Sequence, residues 1–144
     1  MFYLCSISIR MNKIDKIPIQ LHKVEAGFPS PADNYIEKEL NIQEYLVKNK
    51  EATFLVRATG ESMINAGIFP GDILVVDRSL EPKNNSIIIA SIDGELTVKT
   101  FIKDNFNCLK YLQSENNNYP KINLDQNSDV VIWGVVTHSI HHLI

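Results

Sequence analysis

The chain has 144 residues, of which 44% are hydrophobic, and it carries a net charge of −3 with an isoelectric point of about 5.8. This length and composition fit one globular domain with a core of ordinary size, together with a loose arm at most. The acidic balance argues against a surface built for phosphate contacts, so we expect no direct sequence-specific binding of DNA.

The sequence of residues 1 to about 30 predicts an extended arm. Residues 1–10 are apolar, but they are too few to span a bilayer and no charged region precedes them, so we expect no membrane anchor. Met11 is an alternative start of translation. Apolar residues alternate with other residues from Ile17 to Leu21, which is the pattern of a strand. The helix-breaking residues of the arm are Pro18, Gly27, Pro29 and Pro31.

A short helix is predicted to follow the arm. Asn41 and Glu44 fit a capping box, in which the Asn41 side chain accepts a hydrogen bond from the backbone at position 44. Ile42, Tyr45 and Leu46 then form an apolar stripe with helical spacing. The segment 35–40 shows the same helical pattern more weakly, so we expect one small helical region.

From residue 53 onward the pattern changes to β-strands. Apolar and β-branched runs are separated by turn residues, and Asp93-Gly94 between two such runs is the sequence of a tight hairpin. The predicted strands cover 53–58, 73–77, 86–92, 95–102, 107–112 and 129–137. Six or seven short strands with one small helical region indicate a mostly antiparallel β domain.

Ser62 is a candidate nucleophile. It lies in the segment 59–63, between the predicted strand that ends at Ala58 and a predicted helical turn at 64–67. Gly60 allows a sharp turn, and a serine at a strand-to-helix turn exposes its Oγ beside several backbone N–H groups, as an oxyanion hole requires. An isolated Gly-x-Ser is more often a helix N-cap, so Ser62 alone leaves both interpretations open.

Lys99 is a candidate general base. In the alternating strand 95–102, Thr97 and Lys99 share one face, which brings the Thr97 hydroxyl close to the amine. A lysine amine has an unperturbed pKa of about 10.4, and it accepts a proton from serine only where burial among apolar side chains has lowered that pKa. The apolar neighbours offer such burial, whereas an edge-strand lysine that extends its amine into solvent is the ordinary alternative.

Other catalytic or metal-binding arrangements find little support in the sequence. Cys5 and Cys108 form no CxxC pair, so we expect reduced thiols in a cytoplasmic protein. The C-terminal histidines His138, His141 and His142 lack a clear further ligand, so we expect no metal. The motifs of nucleotide-binding loops and zinc proteases do not occur, and we expect no cofactor.

Five segments lie in order along the chain at fitting spacings, at 26–32, 59–64, 71–77, 93–99 and 133–136. They resemble the cleavage region, nucleophile motif, following strand, base-bearing hairpin and closing strand of the LexA-like self-cleaving serine peptidases (peptidase S24), in particular the UmuD-type SOS mutagenesis proteins. The resemblance implies a mostly β fold, a LexA/signal-peptidase-like antiparallel domain with a short helical segment. It also implies that residues 1–26 form a flexible arm and residues 27–144 the peptidase domain.

The resemblance implies a role for each candidate residue. Ser62 is the nucleophile, Lys99 is the general base, and Thr97 orients the amine. The backbone N–H groups of Glu61 and Ser62 form the oxyanion hole.

The scissile bond that the resemblance implies joins Ala26 to Gly27. The best-known UmuD proteins have cysteine before the scissile glycine. With alanine at this position, the chain instead resembles the LexA repressors and some plasmid-borne relatives. We therefore expect cleavage here at a rate that differs from those UmuD proteins. It removes 26 residues and leaves 118 (144 − 26).

The resemblance also implies a function in the SOS response. A RecA filament on single-stranded DNA stimulates self-cleavage, and the processed homodimer becomes the accessory subunit of an error-prone translesion polymerase, a UmuC-like Y-family DNA polymerase (polymerase V-like).

Two alternative functions stay open. The first is a non-catalytic polymerase-binding module, in which the arm is only a docking strand. The second is a truncated LexA-type transcriptional regulator, which the shortness of the arm disfavours because LexA repressors carry paired DNA-binding helices there.

Overall fold

The fold is that of a computed structural model, which describes residues 17–20, 36–125 and 129–144. The chain divides into two compact units, Met1–Tyr45 and Leu46–Ile144. Most of the predicted arm, including Ala26 and Gly27 of the implied scissile bond, lies outside the described residues. Its extended form and the domain boundary after residue 26 stay predictions.

The first unit contains a two-stranded antiparallel ribbon. Strand β1 (Ile17–Gln20) pairs with β2 (Ile36–Leu40), and the register shifts after Ile19. The strand predicted from Ile17 is therefore confirmed over residues 17–20. The weak helical prediction for 35–40 is wrong for β2, because that segment hydrogen-bonds across to β1 instead of along its own chain.

The predicted helix is α1 (Ile42–Leu46). The Glu44 backbone N–H donates to Asn41 Oδ1 at 3.1 Å, so Asn41 is the N-cap that the sequence predicted. A 3-10 helix, Lys50–Ala52, then leads into the sheet of the second unit. No helix in the described ranges is long and apolar enough to cross a membrane.

The second unit contains a seven-stranded antiparallel sheet with the strand order β3-β4-β9-β5-β6-β7-β8. The prediction of a mostly antiparallel β domain is therefore confirmed. β8 was not predicted, since two residues are too few for a periodic pattern to be visible. The strands are β3 (Thr53–Arg57), β4 (Ile73–Asp77), β5 (Ser86–Ile92), β6 (Glu95–Asp104), β7 (Leu109–Gln113), β8 (Ile122–Asn123) and β9 (Val130–Ile140).

The apolar core of the described residues consists of two clusters that share strand β5. Successive residues of a strand point to opposite faces, so Ile88 and Ile89 enter different clusters. The first cluster packs beside the candidate nucleophile and comprises Ala58, Met63, Ile68, Leu74, Val76 and Ile89. The second comprises Ile88, Ala90, Phe101 and Leu112.

Strand β9 lies between β4 and β5 and contains a β-bulge. Trp133 has no cross-strand partner on β5, while its neighbours Ile132 and Gly134 both pair there. The extra residue increases the local twist. Trp133 is 40% exposed, and the guanidinium carbon of Arg78 lies 5.2 Å from the centroid of its ring.

Candidate active site

Ser62 lies on the loop between β3 and β4, residues 59–71, which we call the serine loop. Two backbone hydrogen bonds of 2.8 Å close the base of this loop, from Ala58 N–H to the Asp72 carbonyl and from Gly71 N–H to the Ala58 carbonyl. The serine loop is therefore held at both ends by the strands it connects.

The backbone around Ser62 turns sharply, as the sequence predicted. Gly60 has φ +77°, a conformation that residues with a Cβ rarely adopt, and the 3-10 helix Ile64–Ala66 begins two residues after the serine. The Ser62 side chain is half-buried, and its Oγ makes no hydrogen bond to any described residue. Within the same ranges, the backbone N–H groups of Glu61 and Ser62 find no acceptor.

Asp72 anchors the far end of the serine loop. This side chain is 1% exposed, and its carboxylate accepts hydrogen bonds from the Phe69 backbone N–H at 2.9 Å and from Ser139 Oγ at 3.1 Å. Nδ1 of His141 contacts the other carboxylate oxygen. The hydrogen bond from Phe69 is the main cause that lowers the pKa of Asp72, while burial opposes it. The sequence left the C-terminal histidines without a role, and this contact gives His141 one.

Ser62 and Thr97 line the same cleft, which has a volume of about 150 Å³. One wall is formed by residues 56–60 and further residues of the serine loop. The other is formed by Ile89 of β5 and by residues 96–98 of β6. The fold therefore brings together two candidate residues that are far apart in the sequence.

Lys99 lies on β6 one residue beyond the part of the strand that lines the cleft. It is 8% exposed and is the one buried cationic side chain in the described part of the chain. Its cross-strand partner is Ile88, and Phe101 follows on the same face, so its surroundings are apolar. This burial lowers the pKa of the Lys99 amine. The described contacts include no hydrogen bond between Lys99 Nζ and Ser62 Oγ.

Strand β6 has an open edge beside the cleft. Residues 95–99 pair with β5 on one side, whereas pairing with β7 on the other side begins only at Thr100, opposite Gln113. Because hydrogen bonding alternates along an antiparallel strand, Leu96 and Val98 direct their N–H and C=O groups away from β5. An extended peptide can add to such an edge as a further strand.

The loop after β7 contacts both candidate catalytic segments. We call residues 114–120 the bridging loop. Asn116 Nδ2 donates to the carbonyl oxygen of Glu61 at 3.3 Å, and the ring centroid of Tyr119 lies 5.9 Å from Lys99 Nζ. Sequence reasoning missed these residues, because a polar loop without periodicity contains no signal for its tertiary contacts.

Comparisons with known proteins agree with this architecture. Residues 18–137 match the family described as Peptidase S24-like. The chain is 43% identical over 130 residues to protein MucA of Salmonella typhimurium, covering 90% of this chain and 87% of MucA. It is 42% identical over 124 residues to protein ImpA of Shigella flexneri, covering 86% of this chain and 83% of ImpA. The LexA repressor of Carboxydothermus hydrogenoformans is 36% identical over 115 residues, which cover 80% of this chain and 55% of the repressor.

Proposed function

The chain belongs to the Peptidase S24-like family, and from that premise we propose that it cleaves itself at the Ala26–Gly27 bond with Ser62 as nucleophile and Lys99 as general base. The observation that carries the proposal is the burial of Lys99 on the same strand that lines the Ser62 cleft. A buried amine of lowered pKa is suited to accept a proton, which an exposed lysine is not.

Thr97 is proposed to orient the Lys99 amine. Both side chains point to the same face of β6, since their partners on β5 are Ala90 and Ile88. A hydroxyl beside a neutral amine accepts one of its protons and so directs the nitrogen lone pair. Thr97 also lines the cleft that contains Ser62, which supports a role for it between the two proposed catalytic residues.

In the proposed reaction the neutral Lys99 amine takes the Ser62 proton while Oγ attacks the carbonyl carbon of Ala26. The oxyanion accepts hydrogen bonds from the backbone N–H groups of Glu61 and Ser62, which have no acceptor within the described ranges. The C–N bond then breaks, the Lys99 ammonium protonates the new amino group of Gly27, and Ser62 carries an acyl ester. Water, deprotonated by Lys99, hydrolyses that ester and restores the serine.

The open edge of β6 is the proposed docking place of the arm. An extended segment that pairs with Leu96 and Val98 runs past Ser62, because all three residues line one cleft. Small residues at positions 26 and 27 suit this place, since bulky ones would clash with the cleft walls. Confinement of the arm replaces a bimolecular encounter with an intramolecular one.

We further propose that a RecA filament on single-stranded DNA stimulates this cleavage by binding the docked conformation better than the undocked one. The shortened homodimer then serves as the accessory subunit of a UmuC-like Y-family polymerase in error-prone translesion synthesis. Similarity to MucA and ImpA over most of both chains supports placement with the UmuD-type proteins.

The test is a cleavage assay with the full-length protein, RecA, single-stranded DNA and nucleotide, followed by mass spectrometry. We expect a product that begins at Gly27, and no product from Ser62→Ala or Lys99→Ala. Matched controls are Ser91→Ala on β5 and the exposed Lys103→Ala on β6, which should cleave like the native protein. An unchanged mass of the native protein would refute self-cleavage and favour a non-catalytic polymerase-binding module.

A further inference from the structure

We propose that the bridging loop positions both catalytic groups: Asn116 orients an oxyanion-hole donor, and Tyr119 shields the Lys99 amine from water. This inference rests on the proposed function of Ser62 and Lys99. In the described part of the chain, the bridging loop lies against each of the two segments that carry them, through Asn116 at Glu61 and Tyr119 at Lys99.

Two polar contacts connect the bridging loop to the serine loop on either side of Ser62. Asn116 Nδ2 donates to the Glu61 carbonyl at 3.3 Å, and the Asn65 backbone N–H donates to the Glu115 carbonyl at 3.2 Å. The two contacts therefore restrain the serine loop just before and just after the nucleophile.

The contact to Glu61 bears directly on the oxyanion hole. The Glu61 carbonyl and the Ser62 N–H belong to one planar trans peptide unit, in which the two groups point in opposite directions. A donor that holds the carbonyl therefore also fixes the direction of the N–H. The Ile64 N–H also donates to the Glu61 carbonyl, at 3.3 Å. Removal of the Asn116 side chain therefore weakens the restraint on the peptide plane but leaves one hydrogen bond in place.

Tyr119 lies beside the Lys99 amine and is itself exposed to solvent. Its side chain is 48% exposed, and its ring centroid is 5.9 Å from Lys99 Nζ. This distance is at the outer limit of cation–π attraction, so the ring favours the charged amine only weakly. Its larger effect is to occupy space that water would otherwise fill, and exclusion of water favours the neutral amine.

Other titratable groups do not account for the environment of Lys99. Among the described residues, burial is the cause that lowers its pKa, and no charged group adds to it. The ionisable groups on the elements around Lys99 are Asp93 beside β5, Glu95, Lys103 and Asp104 on β6, Lys110 and Tyr111 on β7, Glu61 on the serine loop, and Glu115, Tyr119 and Lys121 in or beside the bridging loop.

The direct test of shielding is a pH titration of Lys99 by ¹³C NMR of the lysine Cε in the full-length Ser62→Ala protein. The spectrum of Lys99→Arg assigns the resonance. We expect Tyr119→Ala to move the titration to higher pH, and Tyr119→Phe, which keeps the ring, to leave it in place. An unmoved titration in Tyr119→Ala overturns the shielding role. So does an equal upward shift in Tyr119→Phe, because that result would assign the effect to the hydroxyl.

The second test is the rate of RecA-stimulated cleavage as a function of pH. In Tyr119→Ala the rise in rate should move to higher pH, with a loss at pH 7 of about tenfold for each unit of that movement. Asn116→Ala should lower the rate by about tenfold at every pH without moving the profile, less than the loss of a whole oxyanion donor. The adjacent exposed Asn117→Ala is the matched control. Equal rates for Asn116→Ala and Asn117→Ala would overturn the role of Asn116.

The two tests also separate this inference from the proposed function. If Tyr119→Ala moves the Lys99 titration but the native protein is not cleaved, the proposed function fails while the shielding stands. If the native protein cleaves and neither Tyr119→Ala nor Asn116→Ala changes the titration, profile or rate, the inference fails while the function stands.

Discussion

Gly134 is the position where the smallest substitution should cause a large loss of stability. It lies on β9 opposite Ile89, and a Cβ added there would meet Val76 Cγ1 at 2.8 Å and the Asp77 carbonyl oxygen at 3.0 Å. Val76 is 0% exposed and belongs to the first core cluster, so its methyl group has little room to move. Gly134→Ala therefore overpacks the contact between β9 and β4.

The size of this effect follows from the two contacts. Overpacking a dense core costs about 1–3 kcal/mol. The second contact is with backbone that is paired on both sides, so it cannot be relieved by a side-chain rotation, and we expect about 2 kcal/mol. That is a large part of the roughly 5–15 kcal/mol of a typical domain. For a chain of this size it corresponds to a fall in Tm of about 6 °C.

Urea denaturation is the appropriate assay for this prediction. Trp133 is the only tryptophan in the sequence and reports on β9 by fluorescence, and circular dichroism gives a second probe away from the mutated site. Gly94→Ala is the control, because nothing lies within 4 Å of its added Cβ, so only its φ of +83° contributes, at about 1 kcal/mol. A second comparison is the double variant with Val76→Ala, which should lose less stability than the sum of the single variants.

A loss below about 0.5 kcal/mol in Gly134→Ala, with an unchanged dependence on urea, would refute the steric argument. It would mean that β4 and β9 separate easily at this point. Strict additivity with Val76→Ala would locate the strain at the Asp77 carbonyl alone.

Three further predictions concern charge and packing. Because the folded state lowers the pKa of Lys99, the unfolded chain binds the proton more tightly, so stability should rise with pH between the folded and unfolded pKa values. Lys99→Met should remove this rise in urea titrations at several pH values, and an equal rise in both proteins would contradict the buried amine. Hydrogen bonds from Ser79 and Asn49 lower the pKa of Asp77, so its contribution is present above the unfolded pKa and is lost as pH falls through the folded one. Asn49→Ala should therefore shift acid unfolding to higher pH, and an unmoved midpoint would count against that bond. Leu112→Ala, at a side chain that is 0% exposed, should cost about 2–5 kcal/mol in thermal unfolding. The half-exposed Leu109→Ala should cost much less, and similar losses at both sites would contradict the assigned burial.

Local patterns predicted the strands well where they were long and bounded by turn residues. β4 and β5 begin and end at the predicted residues, and the Asp93-Gly94 turn has positive φ at both positions, as a two-residue hairpin needs. The segment 35–40 was misjudged, because its alternation is short and its partner β1 lies outside any local window. β9 runs three residues beyond the predicted end at 137, where pairing with β4 prolongs it.

The chemistry of the candidate site was determined by the sequence. Three local features are visible in the sequence: a serine in a sharp turn, a lysine near a threonine on an alternating strand, and a bond between small residues in a proline-rich segment. Residue type and spacing are enough to identify these features, because turns, hairpins and strand faces depend on near neighbours.

The environment of that chemistry was decided by the tertiary structure alone. The burial of Lys99, the open edge of β6 and the cleft shared by Ser62 and Thr97 all follow from the order of the strands in the sheet. The contacts of His141 with Asp72 and of Tyr119 with Lys99 likewise join segments distant in the chain. Strand order is fixed by the mutual burial of whole apolar faces and not by any local pattern. The lowered pKa of Lys99 and the direction of the candidate oxyanion donors can therefore be derived only from the folded protein.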